Sequence, residues 1–70
     1  MSIIQSVLFD KNLWNDSGAL LWLSEHNLIP LKKVHYTKNF LRYRIRNPNE
    51  FTAFYIKKLE NGIEIVLGLK

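Results

Sequence analysis

Phe40-Leu41-Arg42-Tyr43-Arg44-Ile45-Arg46 is the stretch on which the fold turns. Side chains along a β-strand point alternately to its two faces. Leu41, Tyr43 and Ile45 therefore share one side, and Arg42, Arg44 and Arg46 share the other. This is the pattern of a half-buried strand, apolar inward and polar outward. It predicts a strand over 40–46 in a sheet whose apolar side needs cover.

The neighbouring segments supply both the sheet and its cover. On the N-terminal side, Thr37-Lys38-Asn39 reads as a turn, preceded by a short strand around Lys33-Val34-His35-Tyr36. Further upstream, Asn15 is a candidate helix N-cap, and Asp16 puts negative charge in the first turn, where the helix dipole favours it. Ala19, Trp22, Leu23 and His26 follow at helical spacing and form one stripe. Gly18 weakens this helix unless Trp14 packs over it. Asn27 suits the left-handed residue that ends a helix, Leu28 can fold back on the last turn, and Pro30 prevents continuation. The chain opens with Ile3 to Phe9, rich in β-branched residues and read as a buried strand that ends at Asp10-Lys11-Asn12.

On the C-terminal side, Asn47-Pro48-Asn49-Glu50 forms a turn, with one helical turn running toward Phe51. Phe54 to Leu59 and Ile63 to Leu67 then flank Asn61-Gly62, a strong hairpin signal. A two-residue turn there places Phe54, Ile56, Ile63, Ile65 and Leu67 on one face. A three-residue loop with Gly62 left-handed shifts the register by one, and the local pattern allows either. The order is β-α-β-β-β-β. The expected fold is α+β: an antiparallel meander of four to five strands, one helix packed on one face, and a single compact domain over 1–70.

Composition bounds what such a domain can be. With 70 residues there is room for one core, and with no cysteine neither disulfides nor Cys-based zinc frameworks can staple it. Apolar packing must do so instead, and a hydrophobic fraction of 47% allows it. The longest apolar run, Ala19 to Leu23, is far short of a membrane span, and Met1 to Gln5 lacks the features of a secretory signal. The expected setting is inside a cell, or in a particle made there, with no membrane partner.

Charge is segregated along the chain. Between Leu31 and Lys58 lie Lys32, Lys33, Lys38, Arg42, Arg44, Arg46, Lys57 and Lys58, with Glu50 the only acid, while Asp10, Asp16, Glu25, Glu60 and Glu64 fall outside. Such a field attracts polyanions. Arginines two apart on a strand face stand about 6.6 Å from one another, a row suited to a phosphate backbone, and Tyr55 or Phe40 nearby offers stacking. Arg42, Arg44, Arg46, Lys33, Lys57 and Lys58 are the candidate nucleic-acid-binding residues, the lysine pairs mattering only where folding brings them beside the arginines. Other readings compete: a solvated strand whose charges deter aggregation, an acidic protein partner on the same row, and a protein-interaction module, a virion-associated accessory or an inhibitor, that docks on a viral or host protein through the open sheet face or an exposed edge. A homodimer is also compatible.

No enzyme reading emerges, and no cofactor is implied. Asp16, Ser17 and His26 share one helix and make no triad. His26 and His35 lack close metal-ligand spacing, and Gly18, Gly62 and Gly68 are isolated from one another.

The segment Ile4-Gln5-Ser6-Val7-Leu8-Phe9-Asp10-Lys11, with Trp14, Ala19, Trp22-Leu23 and His26, resembles the opening of a small uncharacterised domain of tailed-phage proteins and large DNA viruses. Lys33, Thr37, Asn39, Arg42-Tyr43-Arg44, Pro48, Phe51, Lys57-Lys58-Leu59, Gly62-Ile63 and Val66-Leu67-Gly68 extend the likeness over nearly the whole chain. Asn27 stands where that family is expected to have Gly, and Ile45 where a polar residue is usual. The resemblance implies a virus-encoded accessory or virion-associated module, in the cytoplasm or nucleus of an infected cell or in the virion. It carries no site residues.

Overall fold

A computed structural model describes residues 2–70. The first strand, β1 (Ser2–Asp10), is followed by helix α1 (Asp16–Glu25), the two-residue strand β2 (His35–Tyr36) and β3 (Phe40–Arg44). A 3₁₀ turn at Pro48–Glu50 then leads to β4 (Ala53–Lys58) and β5 (Ile63–Leu69). All five strands join one antiparallel sheet in the order β2-β3-β1-β5-β4.

This is an α+β fold with a single helix on one side of the sheet, but it is not the expected meander. β1 takes the centre, between the β2–β3 and β4–β5 hairpins. Its composition explains the placement. Gln5, Ser6 and Val7 are all buried and Leu8 half-buried, so β1 has no solvent face to give to an edge. Long apolar strands sit inside sheets, where both faces and both backbone edges are covered.

The caps of α1 form as their residues dictate. The Asn15 side chain accepts from the Gly18 N–H at 2.8 Å, and the Trp14 ring lies 3.4 Å from where a Gly18 Cβ would stand. At the other end Asn27 adopts φ 58°, Asn27 N–H donates to Ser24 O and Leu28 N–H to Leu23 O. This is the Schellman arrangement, which satisfies the last carbonyls. Between the caps, Ala19 and Leu23 are buried against Val7, Phe9, Leu41, Tyr43 and Ile63. Phe9 is the hub. Trp14, Trp22 and Tyr43 each meet it edge-on, with centroids 5.1, 5.6 and 5.7 Å away.

Polar contacts fasten the helix to the sheet. The Asp16 carboxylate accepts from the hydroxyls of both Tyr43 and Tyr36. Burial first, then the bond to Asp16, holds the Tyr43 phenol well above its ordinary range, and Tyr36 is raised chiefly through its own bond to Asp16. Trp14 Nε1–H donates to Asn61 O at 2.7 Å, tying the start of the helix to the β4–β5 loop.

That loop resolves the open register. Asn61 and Gly62 both have positive φ, as the tight turn requires, yet Leu59 N–H rather than Glu60 N–H donates to Ile63 O. Three residues, Glu60 to Gly62, thus lie outside the ladder, and Lys58 faces Glu64. The two-residue alternative is overturned. Ile63, Ile65 and Leu67 lie on the helix side, while Phe54 and Ile56 lie on the opposite side with Val66 and Gly68. At Gly68 the Phe51 ring crosses so closely that it leaves no room for a Cβ.

Candidate nucleic-acid interface

Register places the arginines. Tyr43 pairs with Val7 and Leu41 with Phe9 on the helix side, so Arg42 and Arg44, opposite Leu8 and Ser6, share the face that the helix leaves open. The alternation read from the sequence is present: Leu41, Tyr43 and Ile45 are buried, and Arg42 and Arg44 partly exposed.

The row stops at two. β1 carries a bulge at Gln5, whose carbonyl accepts from the N–H groups of both Ile45 and Arg46 at 2.8 and 3.1 Å. β3 consequently ends at Arg44, not at Arg46. The Gln5 side chain, itself buried, donates to Arg46 O at 2.8 Å. Arg46 turns instead to Glu50, with Nη2 to Oε1 at 2.8 Å. The Arg46 guanidinium holds the Glu50 carboxyl below its usual range, and Glu50 raises Arg46 in return. Arg46 is locally neutralised and is withdrawn from the candidate site.

Two other basic side chains, Lys32 and His35, take its place. Leu31 N–H donates to Arg44 O at 2.8 Å, which runs the segment after Pro30 alongside β3. His35 pairs directly with Arg42 in the β2–β3 ladder. Lys32, Lys33, His35, Arg42 and Arg44 consequently line one depression of about 210 Å³. Among the described residues, none of the five makes an ion pair with a carboxylate. Arg42 is only lightly held: its Nη2 lies 3.5 Å from Ser6 Oγ, and its buried Nε has no partner. The exposed ends of the two guanidinium and two ammonium groups, in no ion pair, keep donors for a bound anion.

Lys57 and Lys58 do not join them. β4 is three strand spacings from β3, about 14 Å. Lys58 there faces Glu64, and Lys57 lies on the helix side opposite Ile65. Tyr55 is likewise on the helix side of that far edge, whereas Phe40 shares the face of Arg42 and Arg44. Lys32 and His35 are site residues that the sequence reading misses. Counting back across the Thr37–Asn39 turn puts His35 opposite Arg42, and that is the signal that finds it. Among the described residues no cluster of His, Asp and Glu is arranged to hold a metal ion.

The fold and site thus define a small α+β domain with a basic depression at one sheet edge. No family model, curated protein or solved structure matches this chain.

Proposed function

We propose that this chain is a non-enzymatic binding protein that contacts nucleic acid through the phosphate backbone. The contacting groups are Arg42 and Arg44 on the sheet face with Lys32, Lys33 and His35 beside them. One observation carries the reading: five basic side chains line a single depression with no carboxylate paired to any of them. Uncompensated like charges repel, and an arrangement that keeps them together is favoured by an anion that binds between them. Phe40, half-buried on the same face, offers a stacking surface beside the depression. The resemblance to a domain of tailed phages and large DNA viruses supplies a setting, an infected cell or a virion, where nucleic acid is abundant.

A backbone-directed site binds with little sequence preference and strong salt dependence. The test is a titration of labelled single- and double-stranded DNA and RNA oligonucleotides at 50 and 200 mM salt. The expected result is a micromolar-range complex at the lower salt that weakens at least tenfold at the higher. Absence of any complex at 50 mM salt contradicts the proposal.

A further inference from the structure

β4 is exposed at every one of its six positions, a condition that among the described strands only the two-residue β2 shares. It lies at the edge of the sheet, beyond the reach of the helix, and it carries Phe54, Tyr55 and Ile56 in succession at 47, 44 and 58% exposure. Sheet edges in soluble proteins are ordinarily short, charged along their length, interrupted by proline or covered. The β2 edge is two residues long. β4 has six residues, no proline, and charge only at one end, Lys57 and Lys58. We infer that β4 is a dimerisation edge and pairs antiparallel with β4 of a second copy of this chain.

The occupant follows from the pattern of free backbone groups. Leu59 N–H donates to Ile63 O, so Leu59 and Ile63 bond across the hairpin. Alternation along the antiparallel ladder then has Lys57, Tyr55 and Ala53 bonding to β5, and turns the N–H and C=O of Phe54, Ile56 and Lys58 outward. Three outward residues centred on Ile56 are their own complement. A two-fold axis through Ile56 pairs it with Ile56 of the second copy and Phe54 with Lys58, and every outward donor meets an outward acceptor. The side chains match in the same register. Ile56 packs on Ile56, Phe54 lies beside Lys58, and on the helix side Tyr55 lies beside Lys57. Each aromatic ring faces an ammonium group, an attractive contact, while equivalent lysines of the two copies are set two to four residues apart. The result is one continuous ten-stranded sheet, with the basic depressions at its two outer ends. This inference is independent of the proposed function and survives its failure.

An interface of one strand pair is small, so association on the order of 100 µM is expected rather than an obligate dimer. Sedimentation equilibrium from 10 µM to 1 mM reads it directly. Ile56→Pro removes an N–H that the ladder to β5 does not use, and it is expected to weaken dimerisation at least tenfold. Circular dichroism checks that the monomer keeps its fold. Ile56→Lys keeps the N–H but sets two ammonium groups face to face, and it is expected to do the same. Because the chain has no other cysteine, Ile56→Cys adds a positional readout: mild oxidation is expected to yield a disulfide-linked dimer, and Thr52→Cys is expected not to. A wild-type chain that is monomeric at 1 mM overturns the inference. So does a dimer whose strength is unchanged by both Pro and Lys in folded protein, which would place the contact elsewhere.

Discussion

The two edges of the sheet solve the same problem in opposite ways. At one edge the chain spends two residues on β2 and surrounds them with Lys32, Lys33 and the two open-face arginines of β3. An incoming strand meets little backbone to pair with and a dense positive field, so this edge is closed to sheet extension and open to an anion. At the other edge β4 offers six residues with an apolar run and charge at one end only. It is open to another strand and poorly suited to an anion, since Lys58 faces Glu64. The contrast shows how a chain of this size holds two surfaces of different chemistry. Both hang on the same central strand, β1, and neither shares a side chain with the other except through the core.

The shared core sets the largest expected effect. Phe9→Ala removes the ring on which Trp14, Trp22 and Tyr43 converge and is expected to cost about 3–5 kcal/mol. A domain of this length has roughly 4–10 kcal/mol in total. Denaturant unfolding is expected to show both edges lost together in one transition, whereas separate transitions break the picture of one core.

Gly68→Ala acts on one edge alone. The new methyl collides with Phe51, whose ring also meets Phe54 edge-on at 5.8 Å. A cost of about 1–3 kcal/mol is expected, with amide exchange quickened in β4 and unchanged in β3. Tyr43→Phe acts on the other side of β1, removing a hydroxyl that donates to Asp16, at about 1.5 kcal/mol. Its sign with pH is distinctive. Because the Tyr43 phenol is raised in the folded state, its contribution is complete below the ordinary tyrosine range and is lost as pH climbs through that range toward the folded value. Alkaline destabilisation, measured by thermal unfolding from pH 8 to 11, is expected to be shallower in Tyr43→Phe.

The smallest effect concerns the arginine that left the row. Glu50 is lowered by Arg46, so what this exposed pair adds is present above the ordinary carboxylate range and fades as pH falls below it. Glu50→Gln frees Arg46 at neutral pH. Oligonucleotide affinity is expected to rise by about twofold to threefold, with the thermal midpoint little changed, as for a solvent-screened surface pair.

Much of this is legible in the amino-acid sequence. The helix with Asn15 and Asn27 at its ends, the alternation from Leu41 to Ile45 and the Asn61-Gly62 turn are local patterns, and local patterns are what a sequence displays openly. The departures come from contacts between distant residues or from a choice of one residue in a turn. Nothing near Arg46 announces that Gln5, bulged out of β1, will capture its backbone and end the strand. The register of β4 depended on whether Leu59 or Glu60 would bond to Ile63, a choice of one residue that reverses which face Phe54 and Ile56 occupy. Asp16 was legible as a favourable charge at the start of the helix but not as the acceptor for two tyrosines on separate strands. The charge total was plain, yet which cations would meet was decided by strand order: Lys32-Lys33 came to the arginines, and Lys57-Lys58 went to the far edge.

That last difference gives the most direct test. Arg42→Gln/Arg44→Gln and Lys57→Gln/Lys58→Gln carry the same net charge and differ only in which edge loses it. The slope of log affinity against log salt for a short duplex, in all three proteins, separates place from total. The wild-type slope is expected near −3, as for about three or four neutralised phosphates. It is expected to shrink by about 2 in the arginine variant and to stay unchanged in the lysine variant. Equal losses in the two variants would contradict a localised site, leaving only the diffuse attraction of a basic protein.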